Sequence, residues 1–106
     1  MKQNALKLLD EILEQRKTAS PDESYTAKLF SDGQDSILKK VGEEATETVI
    51  ASKSGDKAEI IHEIADLWFH TMVLLKFHDL DSDDILKELE SRFGLSGLEE
   101  KANRKK

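Results

Sequence analysis

The sequence contains no cysteine. That removes disulfides, thiolate nucleophiles and Cys-based zinc sites together, and it fits a reducing cytosol. It has a single proline, Pro21, and no unbroken apolar stretch that would cross a bilayer, the longest being Met72-Val73-Leu74-Leu75. The first segment, KQNALKLLDEILEQR, is broken by Asp10, Glu11 and Glu14, so it lacks the apolar region of a signal peptide. Basic residues are outnumbered, and the net charge of −6 opposes sequence-independent binding to nucleic acid, which rests on Lys and Arg neutralising phosphates. The sequence therefore reads as a soluble, cytoplasmic protein with no membrane or nucleic-acid partner. A phosphate-bearing small substrate would need local cations.

What remains is helical in composition. The chain has 106 residues, 38% hydrophobic and 36% charged, too apolar for disorder and rich in the Glu, Lys, Leu and Ala that favour helices. One all-α domain spanning 1–106 is expected, with its core in about 3–93 and a polar tail from 94 to 106. Leu6, Leu9, Ile12 and Leu13 predict an amphipathic helix over roughly 3–17. Ser20-Pro21-Asp22-Glu23 reads as a capping box opening a short helix that ends before Ser31-Asp32-Gly33. Ile37, Leu38, Val41, Ala45 and Ile50 mark a helix over roughly 35–53, closed by Ser54-Gly55. Asp56 and Glu59 open the next, which continues to about 78. It is apolar nearly all round, from Ile60 to Leu75, with Trp68 and Phe69 expected in the core. That is more apolar surface than one small monomer covers, so self-association is expected. A last helix begins among Asp81–Asp84 and ends at Phe93-Gly94. The architecture is thus a bundle of four to five helices.

Two acidic motifs stand out, Glu43-Glu44-Ala45-Thr46-Glu47 and Glu63-Ile64-Ala65-Asp66. Glu44 and Glu47, and likewise Glu63 and Asp66, are three apart and share a helical face. A turn at Gly55 makes the two helices an antiparallel hairpin. Glu44 and Asp66 lie equally far from Gly55 on its two sides, as do Glu47 and Glu63, so four carboxylates converge. Taken alone, EExxE also fits a solvated face with lysine pairs, but Glu63 and Asp66 interrupt a helix that otherwise reads as buried. Burying uncompensated carboxylates costs on the order of several kcal/mol each, and a cation is the simplest compensation. All-oxygen ligation favours Mg²⁺ or Mn²⁺ over zinc. His62-Glu63-Ile64-Ala65-Asp66 lacks the second histidine of a zinc protease, and Glu59-Ile60-Ile61-His62 has no second ExxH to make a di-iron site.

With Glu23-Ser24-Tyr25-Thr26-Ala27-Lys28-Leu29 and Ile37-Leu38-Lys39-Lys40-Val41-Gly42-Glu43-Glu44-Ala45-Thr46-Glu47, these motifs resemble the phosphoribosyl-ATP pyrophosphatases, within the all-α NTP pyrophosphatase group that includes MazG. The likeness covers roughly 5–93. It implies Mg²⁺-dependent hydrolysis of the α–β phosphoanhydride of phosphoribosyl-ATP to phosphoribosyl-AMP and pyrophosphate, in histidine biosynthesis, by a homodimer. It maps the metal ligands onto Glu44, Glu47, Glu63 and Asp66, and leaves Glu43 as an outer ligand or the general base. Lys28, Lys39 and Lys40 become candidates for phosphate contacts, although Lys39 and Lys40 also suit i,i+4 pairing with Glu43 and Glu44. Tyr25 is a candidate to bound the nucleotide. His70 is expected as a hydrogen-bonded, semi-buried side chain, and His78 near the last carbonyls of its helix. A house-cleaning dNTP pyrophosphatase with the same chemistry, and a non-enzymatic helical dimerisation module, are the competing readings.

Overall fold

The computed structural model describes residues 4–94. Five helices and no strand occur among them, as the composition requires: α1 Ala5–Lys17, α2 Tyr25–Asp32, α3 Gln34–Ser54, α4 Lys57–Phe77 and α5 Ser82–Phe93. The expected polar tail beyond Gly94 lies outside the described residues, as do the first three residues.

Local chemistry sets each boundary. Asn4 opens α1, its side-chain oxygen accepting from the N–H groups of Leu6 and Lys7 at 3.1 and 3.2 Å. Helix α2 starts later than the Pro21 signal predicts. Ser20 to Glu23 instead form a turn closed by the Glu23 N–H donating to the Ser20 carbonyl at 2.9 Å. Proline in second place and aspartate in third suit such a turn as well as they suit a helix start, and a helix cap follows one step later. That cap is Ser24, whose hydroxyl accepts from the Ala27 N–H at 3.0 Å. Gly33 alone separates α2 from α3, with φ at +104°. Its N–H closes α2 on the Leu29 carbonyl while its own carbonyl accepts from Ile37, and this backbone conformation is one that only glycine adopts without strain.

Helices α3 and α4 are the long antiparallel hairpin that Gly55 predicts. Gly55 is left-handed, φ +80°, and Asp56 caps α4 through the N–H groups of Ala58 and Glu59. The remaining helices gather at the end of the hairpin away from Gly55. Leu13, Leu29, Ile37, Met72 and Val73 form the buried core, with Leu6, Leu9, Phe30, Phe69, Leu74 and Phe77 packed around it. Helix α5 carries a full capping box, Asp81 with Asp84. It is tied to α1 where the Ser82 hydroxyl and N–H both donate to the Asp10 carboxylate.

One expectation fails within the chain. Trp68 is 58% exposed rather than core, and Ile61 is also exposed. The single chain has only enough neighbouring helix to cover one side of α4, so Phe69 turns inward and Trp68 outward. No helix among the described residues is long and apolar enough to cross a membrane.

Candidate metal centre between α3 and α4

The hairpin brings the acidic motifs together. Glu44 on α3 and Glu63 and Asp66 on α4 each present a carboxylate oxygen, and the three oxygens lie within 4.8 Å of one another. Glu44 is buried, 6% exposed, and Glu63 and Asp66 are half-buried. One oxygen of Glu44 and one of Glu63 are shut off from solvent without any hydrogen-bond partner among the described residues. Buried carboxylate oxygens facing one another without a donor repel, and a hard divalent cation matches this donor set.

Glu47 is exposed and stands at the edge of the cluster beside Glu63. The Glu63 carboxyl is held above its ordinary value. Loss of solvent contributes most, followed by a hydrogen bond to Glu47 and repulsion from Glu47 and Glu44, with His62 opposing. His62 also leans on the site, its Nε2 lying 3.4 Å from Asp66 Oδ2.

The remaining candidates divide by position. Glu43 faces solvent, with its carboxylate 3.6 Å from the Lys40 ammonium. Lys40 stands beside the Tyr25 phenol, and its pKa is raised first by the charge on an ionised Tyr25, against desolvation, and then by Glu43 and Glu44. Tyr25 is half-exposed, and its own pKa is raised mainly by burial, with Lys40 working the other way. The Tyr25 hydroxyl lies 2.8 Å from His70 Nε2, and His70 Nδ1 lies 2.8 Å from the Asp66 main-chain carbonyl. His70 is thus buried and hydrogen-bonded, as the sequence reading expects.

Lys28 is paired with Asp32 on its own helix at 3.3 Å, and Lys39 lines a shallow groove along α3 with Gly42, Glu43 and Glu47. His78, the C-cap of α4, bonds the last carbonyls through its main-chain N–H and packs its ring edge-on to Phe77. Sequence reasoning missed the Tyr25–His70 contact, for which the spacing of His70 four residues after Asp66 gives no signal, since it shows only that the ring can reach back to that carbonyl.

Comparison with known proteins follows the same residues. The family model described as phosphoribosyl-ATP pyrophosphohydrolase matches residues 6–93, every helix of the fold and the whole acidic cluster. A phosphoribosyl-ATP pyrophosphatase of Methylococcus capsulatus is 62% identical over 102 residues, covering 96% of this chain and 97% of the relative. Those of Hydrogenovibrio crunogenus and Chromobacterium violaceum are 56% and 54% identical, covering 100% and 99% of this chain and 97% of each relative. Matches of this extent, across every helix that builds the cluster, place the chain in the phosphoribosyl-ATP pyrophosphohydrolase family.

Proposed function

We propose that this protein hydrolyses phosphoribosyl-ATP to phosphoribosyl-AMP and pyrophosphate, a step of histidine biosynthesis, in line with the phosphoribosyl-ATP pyrophosphatase name of its relatives. The observation that carries the reading is the juxtaposition of Glu44, Glu63 and Asp66 with two unsatisfied buried oxygens, inside a chain matched over its full helical length by this family. Glu44, Glu63 and Asp66, with Glu47 at the rim, are the residues to hold Mg²⁺, and Mn²⁺ has the same preference for oxygen. When bound, the ion supplies neutralisation of the charge on the phosphoryl oxygens and the departing pyrophosphate.

The chain's own groups have the following roles. Glu43, free to solvent except for Lys40, accepts the proton of the attacking water. The oxygen of that water bonds to the phosphorus as the bond to pyrophosphate breaks, with no covalent enzyme intermediate. Lys40 offers its ammonium to a phosphate oxygen, and Tyr25 bounds the nucleotide beside it. Lys28 and Lys39 reach the outer phosphates of the substrate.

The enzyme works as a homodimer in this reading. Trp68 and its groove neighbours Leu6, Met72, Leu75, Ile85 and Leu89 form an open apolar channel of about 290 Å³ between α1, α4 and α5. A surface of this kind is unfavourable in a monomer and suits a second copy.

The test is pyrophosphate release from phosphoribosyl-ATP, with and without Mg²⁺, by wild type and Asp66→Asn. Metal-dependent release that falls at least about 100-fold in the variant is expected, the order of effect of removing one charge-stabilising group. A folded wild type that prefers dNTPs would instead establish the house-cleaning activity.

A further inference from the structure

The acidic cluster occupies α3 and α4, yet the phenol of Tyr25 comes from α2, and what fixes it is a histidine outside both acidic motifs. His70 is 5% exposed and has two ring contacts. Its Nδ1 lies 2.8 Å from the Asp66 carbonyl, an atom that can only accept, so Nδ1 carries a proton and donates. In the neutral ring Nε2 is then bare. It can only accept, and the atom 2.8 Å away is the Tyr25 hydroxyl. Tyr25 must donate its single proton inward. That leaves the phenol oxygen, on a half-exposed side chain, with only lone pairs to offer a ligand.

We infer that His70 is a positioning residue for substrate binding: by taking the Tyr25 proton it holds the phenol oxygen as an obligate acceptor, so that Tyr25 offers the bound nucleotide a lone pair and not a proton. The inference rests on the pyrophosphatase reading above. Without the inward hydrogen bond the phenol hydroxyl rotates freely and is donor and acceptor alike. The His70 ring is also packed edge-on to Phe69 and to Tyr25, at centroid distances of 5.1 and 5.9 Å. A rigid acceptor is thereby held from the core side of α4.

Two measurements test this. The first is the ¹⁵N chemical shifts of the His70 ring in the intact protein at neutral pH. The Nδ1–H tautomer is expected, and an Nε2–H or doubly protonated ring overturns the inference, because Tyr25 would then be the acceptor of the pair. The second is the KM and kcat for phosphoribosyl-ATP in Tyr25→Phe, His70→Asn, His70→Gln and Tyr25→Phe/His70→Asn. Asparagine keeps the donor at the Nδ1 position and loses the acceptor, whereas glutamine places an amide oxygen near Nε2. Expected results are a KM raised about tenfold in Tyr25→Phe and His70→Asn with kcat little changed, the scale of one hydrogen bond. Glutamine should restore most of the loss, and the double variant should be no worse than Tyr25→Phe alone. An active wild type whose KM is unmoved by Tyr25→Phe, or losses that multiply in the double variant, overturns the role of His70 and leaves the function standing. A wild type that releases no pyrophosphate overturns the function itself, and with it any role for His70 in binding this substrate. Should His70→Asn fail to fold, Tyr25→Phe, His70→Gln and the ring shifts decide the matter.

Discussion

Glu44 is electrostatically strained, since its carboxylate is buried, one oxygen has no donor among the described residues, and its neighbours Glu63 and Asp66 have the same sign. Truncating the charge should therefore have opposite effects on stability and on chemistry. Glu44→Gln is expected to raise the metal-free melting temperature by about 4–8 °C, the shift that roughly 1 kcal/mol produces in a domain of this size. It should at the same time abolish the further rise that Mg²⁺ gives wild type, which calorimetry with and without the ion reads directly. Glu63 gives the pH dependence. Its folded-state value is raised above 4.5, so it contributes stability that is complete below that value and is lost as pH rises through the folded value. In the metal-free protein the stability of wild type relative to Glu63→Gln should fall as pH climbs out of the ordinary carboxylate range, and saturating Mg²⁺ should remove that trend. A difference that moves in favour of wild type over this window would contradict the raised value of Glu63.

At the scale of the helices, two glycines of α3 and its turn separate backbone need from backbone tolerance. Gly55 has φ +80°, and no atom lies within 4 Å of where a methyl group would project, so Gly55→Ala costs only its conformation, about 1 kcal/mol. Gly42 lies inside α3 with equally open surroundings and helical geometry. Gly42→Ala should therefore stabilise by up to about 1 kcal/mol, and chemical denaturation of the pair of variants checks both signs. Gly42 precedes Glu43 on the outer groove of α3. If Gly42→Ala gains stability while losing activity, the groove is where substrate approaches the helix backbone. The start of α2 shows how element boundaries escape a sequence reading. Ser20 and Ser24 both precede residues that begin helices well, and the choice fell to Ser24 because Pro21 and Asp22 also complete a turn.

For the molecule as a whole, the exposed apolar residues are the informative ones. Ile61, Trp68, Ile85, Leu86, Leu89 and Phe93 are all more than a third exposed in the single chain. Sedimentation equilibrium is expected to give twice the 12.0 kDa chain mass, and Trp68→Asp, which places a charge in the apolar channel, should shift the protein to monomer with a lower melting temperature. A wild type that stays monomeric at all working concentrations would mean that this surface serves something other than a second copy. The core, in contrast, is small and gathered at one end, where Leu13, Ile37 and Val73 are the largest fully buried side chains. The carboxylate hairpin runs out from that end, held by helix–helix contact between α3 and α4 more than by a surrounding core.

The helices, the hairpin and the level at which Glu44, Glu63 and Asp66 meet were all legible in the amino acids alone, because helical period and a glycine turn are local rules and symmetry about Gly55 does the rest. The family was legible too, in motifs dense enough to match from 6 to 93. Which side of α4 faces inward was not, and only packing left Trp68 out and Phe69 in, because both residues lie on an apolar helix whose sequence has no polar stripe to mark its outer side. Packing also joined Tyr25 to His70 across 45 positions of chain, a pairing between a loop-capped short helix and the middle of a long one that no local pattern encodes.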